Sequence, residues 1–321
     1  MNCLSCGKPL TDLEEQTGWH KRCIRRFFGT EELPCIDLSE AALRELAAGS
    51  TSRGYTVPGV QKKLSLHLLP DREKPRLTLG SGPALYILKP QVPDCAALPE
   101  AEQLVMSMAD ASGISTVPHA LLPGEQGCAY ITRRADRILA GKTVQLLAME
   151  DFCQLELRLT GDKYRCSYER CMKVIGRYSA RKSLDRTELF MRLVFSFLTG
   201  NSDMHLKNLS LIETEPASNA YVLSPAYDLV PVNVILPEDK EEFALAMNGR
   251  KANLRRRDFL VLADRCGLPR TAAEKMMGKL VSLEETYRTM IQASLLPREL
   301  KDRFTRLLED RTRRLLGKTE E

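Results

Sequence analysis

The sequence predicts an α+β chain, a β-rich part followed by a helical part, behind a short segment that carries paired cysteines. Three observations lead there. Between residues 52 and 135 apolar residues come in short runs that alternate with polar ones and are broken by Gly and Pro, the pattern of half-buried strands. After about residue 140 the apolar spacing changes to three and four, the period of amphipathic helices. The first ~30 residues hold C-x2-C and H-x2-C pairs but too little apolar mass to build a core. The expected organisation is therefore a cysteine-bearing segment over 1–35, a β-rich lobe over 36–135 and a helical lobe over 136–321. No repeats and no low-complexity linker interrupt it.

In the first segment "CLSCGKPL" supplies Cys3 and Cys6, and "WHKRC" supplies His20 and Cys23. A two-residue gap lets both side chains of a pair face one tetrahedral metal, and Gly7 permits the tight turn behind the first pair. A metal would supply the stability that so short a segment cannot draw from a core. The pattern thus predicts a structural zinc ion held by Cys3, Cys6, His20 and Cys23, with no coordination position left open for catalysis. The competing reading is four unrelated core residues. The basic run "HKRCIRRFFG" reads as a short helix with a solvated cationic face and Phe27 and Phe28 turned inward, in preference to a nucleic-acid patch. The other seven cysteines are scattered among apolar or mixed segments and read as reduced, mostly buried thiols.

Residues 36–49, "IDLSEAALRELAAG", predict a helix with Ser39 as N-cap and Gly49 at its C-terminus. A polar loop with Gly54 and Gly59 follows, and "KLSLHL", "RLTLG", "ALYILKP" and "GCAYITRRADR" predict strands, with one helix over "AEQLVMSMADASG". Beyond residue 140, "MEDFCQLELRL", "SYERCMKVIGRYS", "TELFMRLVFSFLTG", "RRDFLVLADRCG", "TAAEKMMGKLVSLEETYRTMIQASL" and "LKDRFTRLLEDRTRRLLG" predict amphipathic helices. Hydrophobic residues make up 43% and charged residues 28%, an ordinary globular balance. There is no run of the ~20 apolar residues a membrane span needs, and the N-terminus lacks the apolar core of a signal peptide. The expectation is a cytoplasmic protein with no membrane partner. A net charge of +5 suits an acidic ligand such as a nucleotide and is too small to argue for direct nucleic-acid binding.

The chemistry concentrates in "GNSDMHLKNLSLI", residues 200–212. Leu189, Phe190, Leu193, Val194, Phe197 and Leu198 predict a helix buried over much of its circumference, and Gly200 suits its end. A polar set follows at once, so it is held at the end of a core element. Asp203 and Asn208 stand five apart, and Asp228 comes twenty residues after Asn208, behind the apolar strand "AYVLSPAYDLVP". Two carboxylates and a carboxamide are what phosphoryl transfer needs: one Asp to orient the attacking hydroxyl and accept its proton, the Asn and the second Asp to hold magnesium on the phosphates. Upstream, Lys89 ends the strand "YILKP" and Glu102 lies on the next helix. A strand lysine paired with a helix glutamate grips the α and β phosphates in protein kinases. Each element alone is weak, since loop aspartates are usually turn residues; their order is not.

The stretches "TVPGVQKKLSL", "YILKP", "LPEAEQLVM", "MEDFCQL", "GNSDMHLKNLSL", "SPAYDL" and "LAMNG" together resemble the HipA family, Ser/Thr kinases that act as toxins of bacterial toxin–antitoxin systems. The resemblance runs from about residue 50 to 290. It implies a divergent, two-lobed protein-kinase-like fold that uses ATP and Mg2+. It implies that Asp203 is the catalytic base, Asn208 and Asp228 the magnesium ligands and Lys89 the phosphate-gripping lysine. Pro58, Gly59, Val60, Gln61, Lys62 and Lys63 resemble the loop over the ATP phosphates. Arg133, Arg134 and Ala135 resemble the hinge that receives adenine, mainly through backbone groups. Glu102, Lys207 and Tyr227 join the implied ATP site. His205 resembles a residue near the phosphates, with a histidine that merely fixes the loop as the equal alternative.

Longer HipA proteins carry a further N-terminal subdomain, whereas here about fifty residues with the cysteine pattern precede the core. This resembles the short HipT-like type, for which a small HipS-like partner and a DNA-binding HipB-like antitoxin are the implied partners and an aminoacyl-tRNA synthetase the implied substrate class. In the glycine loop, Thr56 stands where the family has an autophosphorylated serine, and Pro58 where a second can occur. A phosphothreonine there would repel the ATP phosphates, which gives self-inhibition a physical basis. The alternative function is a catalytically silent scaffold or corepressor acting with the antitoxin. A small-molecule phosphotransferase would share the same core.

Overall fold

The computed structural model describes residues 1–38, 63–69, 74–79, 84–124, 127–140 and 143–317. The helix expected over 36–49 and the loop residues Thr56, Pro58, Gly59, Val60, Gln61 and Lys62 lie outside the described residues; Lys63 is described, half-buried at the foot of the first strand. The chain divides into two units: Met1–Gln103 with Val117–Leu146, and Leu104–Thr116 with Leu147–Glu321.

The first unit opens with two short helices, α1 (Asp12–Glu15) and α2 (Lys21–Phe28). On α2 Cys23, Ile24, Phe27 and Phe28 are buried while Arg25 and Arg26 stay exposed, the division the sequence predicts. Phe27 and Phe28 pack against Trp19 and against Tyr86 of the sheet, with centroids 4.7 to 5.9 Å apart across the cluster. The strands β1 (Leu64–Leu69), β2 (Arg76–Thr78) and β3 (Tyr86–Lys89) precede the helix α3 (Leu98–Ser112), and β4 (His119–Gly124) and β5 (Gly127–Arg133) follow it. They form one antiparallel sheet in the order β2-β1-β3-β5-β4. A separate hairpin joins β6 (Arg137–Ala140) to β7 (Thr143–Leu146). The sequence misses β4, whose "HALLPG" is a nearly continuous buried run with no alternation. It also misses the β6–β7 hairpin, because Ile138, Leu139 and Leu146 are exposed and no buried face imposes a period.

The second unit carries β8 (Met149–Asp151), α4 (Phe152–Leu155), α5 (Tyr168–Tyr178), α6 (Lys182–Thr199), β9 (Ser210–Glu213), β10 (Tyr221–Leu223), α7 (Val232–Ile235), α8 (Arg256–Arg265), α9 (Arg270–Ser282), α10 (Glu284–Ala293) and α11 (Arg298–Leu316). Its small sheet runs β10-β9-β8. Two expectations need correction. "MEDFCQLELRL" is a strand and one helical turn: Asp151 leaves the strand and caps α4, accepting from the Gln154 amide while Gln154 reaches back to the Asp151 amide. Leu157 then stops the turn at a positive φ of 54° and stands 95% exposed, so the apolar spacing there never reaches a core. The single helix expected over 271–295 is two, broken at Leu283, which the spacing alone does not mark. The seven scattered cysteines are free thiols, but only Cys153 and Cys171 are buried; Cys35, Cys95, Cys128, Cys166 and Cys266 are partly exposed.

The core element of this unit is α6. Its residues 189 to 199 are all buried, and Phe197 packs on Phe243 and Phe259 at 6.4 and 5.3 Å. Its C-terminal carbonyls meet a cation: Arg311 of α11 donates to the Phe197 carbonyl at 3.1 Å and lies 4.5 Å over the Phe197 ring. Gly200 then turns the chain with φ 71°, and a Cβ there would sit 3.1 Å from Leu307 and 3.3 Å from Asn233. Both the conformation and the crowding call for glycine. The loop behind it starts from a fixed point.

Candidate active site

In the second unit the loop 201–208 is pinned from within. Asn201, fully buried, accepts the Asp203 amide at 3.2 Å on its side-chain oxygen, and the His205 amide donates to the Asp203 carbonyl at 2.8 Å. The Asn208 Nδ2 donates to the same carbonyl at 2.9 Å, and Ser202 Oγ donates to Asp239 at 2.7 Å. From below, buried Tyr168 donates to the Met204 carbonyl at 2.9 Å. These bonds fix the backbone and leave the Asp203 side chain 44% exposed. It accepts a hydrogen bond from the Tyr164 hydroxyl at 2.7 Å. Partial burial and the Asp203 carboxylate together push the Tyr164 phenol well up, so it remains a proton donor.

His205 is nearly buried, with Nε2 4.0 Å from Asp203 Oδ1 and its ring edge-on to Tyr164 at 5.1 Å. Burial holds its pKa below the ordinary value, against the pull of Asp203 and Asp228, which favours the neutral imidazole. Its Nδ1 is buried with no hydrogen-bond partner among the described residues. Lys207, expected at the nucleotide, ties its ammonium to Asp151 at 2.8 Å, and Tyr227 shares its hydroxyl with Ser210 at 2.6 Å and donates to the Lys207 carbonyl at 3.2 Å. Both brace the loop.

Asp228 sits at φ 59°, a left-handed conformation that Asp tolerates and that costs on the order of 1 kcal/mol or more. Such strain persists where surrounding structure holds it, and it clusters at functional sites. The donor set suits a magnesium ion. Asn208 spends its amide nitrogen on the Asp203 carbonyl, which leaves its side-chain oxygen as a neutral acceptor, and Asp228 offers a carboxylate; both are oxygen donors of the kind magnesium takes. The sequence names Asp203, Asn208 and Asp228 but not Tyr164, Asn201 or Asp151. Asn201 lies inside the stretch that drew attention. Tyr164 carries no signal, being an ordinary tyrosine 39 positions from its partner.

In the first unit Lys89 and Glu102 form an ion pair of 2.6 Å with side chains 4% and 0% exposed. Lys89 closes β3, opposite Tyr130 of β5, and its ammonium lies 5.3 Å from the Tyr130 ring centroid. A buried ion pair is poor evidence for stability, since desolvation offsets most of the attraction. In the segment expected at adenine, the Arg133 amide donates to the Pro118 carbonyl and the Arg134 amide to that of Leu85, both at 2.9 Å. The Arg134 side chain pairs with Asp136 at 2.9 Å.

The same unit brings Cys3, Cys6, His20 and Cys23 together, their ligand atoms all within 4.8 Å of one another. His20 Nδ1 faces the thiols, 3.3 Å from Cys6 and 3.7 Å from Cys23, while Nε2 lies 2.9 Å from the Pro9 carbonyl. That is the arrangement of a metal-binding histidine, oriented through its other nitrogen. Three sulfurs and one imidazole nitrogen fit tetrahedral zinc.

The sequence profile of the HipA-like C-terminal domain matches residues 55–286. Among curated proteins, a "Putative kinase" of Haemophilus influenzae is 24% identical over 271 residues, covering 76% of this chain and 77% of that protein. Two of Sinorhizobium fredii, "Putative kinase Y4mE" and "Putative kinase Y4dM", are 28% and 32% identical over 212 residues, covering 64% and 60% of this chain. The chain spans about half the length of these two, 49% and 48%. Among solved structures, the toxin–antitoxin complex of HipA, HipB and operator DNA from Shewanella oneidensis MR-1 superposes with a TM-score of 0.70 at 20% identity, over 85% of this chain and 71% of that one. The Helicobacter pylori proinflammatory kinase CtkA gives 0.54 at 15% identity, over 78% and 94%. At these identities the likeness is one of fold, and the fold is the α+β, kinase-like class that the sequence predicts.

Proposed function

The chain belongs to the HipA-like C-terminal domain family, and from that premise we propose that it is an ATP- and magnesium-dependent serine/threonine protein kinase. The observation that carries this reading is the loop at Asp203. Its backbone is fixed by Asn201, His205 and Asn208, while its carboxylate is exposed and already accepts a hydroxyl proton donor, Tyr164. A carboxylate so held can accept the proton of a substrate serine or threonine as its oxygen attacks the γ phosphate. Tyr164 and the neutral, buried His205 keep the carboxylate oriented. Asn208 and Asp228 would hold magnesium, which when bound neutralises the phosphate charge. Lys89, steadied by Glu102, would hold the α and β phosphates. Pro58 through Lys63 would cover them. With the Arg133 and Arg134 amides engaged in main-chain bonds, adenine would be left the Ala135 amide and the neighbouring carbonyls. Lys207 and Tyr227 would serve the nucleotide by bracing the loop.

The physiological reading follows from relatives. The Shewanella structure is a toxin–antitoxin complex with HipB and operator DNA, which supports a toxin role here and a DNA-binding HipB-like antitoxin; a small HipS-like partner is proposed beside it on the short N-terminal part alone. A component of translation such as an aminoacyl-tRNA synthetase is the proposed substrate, Thr56 the self-inhibiting phosphorylation site, and the cytoplasm the site of action. The Cys3, Cys6, His20 and Cys23 set would hold structural zinc. A silent scaffold would have no use for Asp203, Asn208, Asp228 and Lys89 together.

Incubating the chain with Mg2+ and γ-labelled ATP, beside Asp203→Asn, tests the reading. Asn keeps the size and the acceptor for Tyr164 but is no base. Label on the wild type alone, mapped to Thr56 by mass spectrometry, is expected. Equal label on both would remove Asp203 from the role of base. No label on a chain that binds ATP and begins unphosphorylated would favour the scaffold.

A further inference from the structure

We propose that Gln103 is a positioning residue that ties the Cys3–Cys6 turn to the helix bearing Glu102, so that the metal held at the start of the chain controls the Lys89–Glu102 grip on nucleotide. This rests on the ATP-kinase reading and deepens it by assigning the metal segment a place in regulation.

Gln103 is buried, and both ends of its amide are engaged. Nε2 donates to the Ser5 carbonyl at 3.3 Å, and Oε1 lies 2.8 Å from Nδ1 of His119, itself buried. Ser5 is the residue between the two thiols of the first ligand pair. The same turn is held on a second side: the Leu121 amide of β4 donates to the Leu4 carbonyl at 2.9 Å, and Trp19 Nε1 donates to the Leu121 carbonyl at 3.1 Å. Glu102 is the next residue back along the helix and points to Lys89 at 2.6 Å. Successive residues on a helix lie about 100° apart around its axis. Glu102 can therefore face the strand lysine while Gln103 faces the metal turn, and the turn acts as a lateral stop on the helix one residue from the glutamate.

The stop is only as firm as the turn. Besides the bond from Leu121, the turn is held by main-chain bonds from the Cys3 amide to the Lys8 carbonyl at 2.8 Å, the Leu4 amide to the Gly18 carbonyl at 2.9 Å and the Gly7 amide to the Cys3 carbonyl at 2.9 Å. Beyond these, three thiols and an imidazole converge on one point. A cation there binds the turn to the Cys23 helix and to His20. Without it the turn loosens, the Gln103 contact goes, and Glu102 gains freedom. A shift of about 1 Å in such a grip is enough to cost an enzyme up to a hundredfold in rate.

The test compares wild type, Gln103→Leu and Gln103→Glu, each as purified and after treatment with a zinc chelator. Glu preserves size and the acceptor toward His119 but has no N–H for Ser5, so a merely space-filling role would not feel it. Zinc content, unfolding temperature, Kd for Mg-ATP by a fluorescent analogue, and kcat and KM for ATP are read. The expected result is that chelation weakens Mg-ATP binding about tenfold in the wild type. Both variants keep their zinc, show the weakened affinity from the outset and respond little to chelation, with the loss in KM for ATP. Wild-type affinity unchanged by zinc removal, or zinc-loaded variants binding ATP like the wild type, would overturn the proposal. If the chelated chain unfolds by circular dichroism, the zinc-loaded variants decide alone. A wild type that binds no ATP would sink the kinase reading itself, and one that holds no zinc would sink the metal assignment; either also overturns the link.

Discussion

Removing either half of the Lys89–Glu102 pair should destabilise the first unit, and removing both should largely restore it. Lys89→Met leaves a carboxylate in a fully enclosed site, and Glu102→Leu leaves an ammonium in one that is 4% exposed. Stranding one partner of a buried pair costs about 3–5 kcal/mol. For a unit of this size 1 kcal/mol is worth roughly 3 °C, so each single variant should unfold about 10–15 °C below the wild type. Replacing both by apolar side chains of similar volume is neutral or stabilising by about 1–4 kcal/mol, less about 1 kcal/mol for the lost contact of Lys89 with Tyr130. The double variant should therefore lie between about 1 kcal/mol below and about 3 kcal/mol above the wild type, and above either single. Trp19, the only tryptophan, is buried in this unit and reports its unfolding by fluorescence. Mg-ATP binding should be lost in all three. A double variant whose loss equals the sum of the singles would show that the two charges do not compensate each other. A Lys89→Met chain that binds ATP normally would refute the assigned purpose of the pair.

Tyr164→Phe removes one hydrogen bond to a carboxylate and should lower phosphate transfer about tenfold with KM for ATP unchanged; a rise in activity would mean the phenol obstructs the base. Asp228→Gly relieves the left-handed strain, so the unfolding temperature should rise by a few degrees, for roughly 1 kcal/mol, while magnesium-dependent nucleotide binding disappears; a fall in stability would show that Asp228 is held by contacts rather than by function. The Cys166 thiol is held down to about 7, chiefly by the Cys171 side chain. Iodoacetamide should then label it with a pH midpoint near 7, and Cys171→Ala should return the midpoint toward the ordinary thiol value. Because the folded pKa is the lower one, the associated stability is full above the unfolded thiol value and is lost as pH falls through about 7.

Reading the sequence finds what is local or what repeats. Asp203 and Asn208 stand out because they crowd the end of a helix whose apolar face is unmistakable, and because only glycine fits at 200. Cys3, Cys6, His20 and Cys23 stand out by spacing. Lys89 and Glu102 are legible as a strand end and a helix start, though nothing in their spacing says that they meet at 2.6 Å. Tyr164, Gln103 and His119 are silent in sequence, since their roles depend on long-range approach. Strands without a one-sided burial pattern, β4 and the β6–β7 hairpin, are missed for the same reason that period two needs one wet face and one dry one. Leu157 and Leu159 mislead because their spacing is helical and their surroundings are solvent.

The docking of residues 4 and 19 on β4 has a further consequence for solubility. β4 is the last strand of its sheet, with a row of main-chain groups directed outward. An uncovered strand of that kind is a template for pairing with another chain. Here its middle residue, Leu121, has its amide and its carbonyl both taken, by the Leu4 carbonyl and the Trp19 indole. Cutting away the first thirty or so residues would thus expose a hydrophobic strand edge of "HALLPG" and, on β3, the ring of Tyr86 that Phe27 and Phe28 cover. A truncated chain would be lost to association between copies before its chemistry could be measured, which makes the leading segment an inseparable part of the sheet it covers.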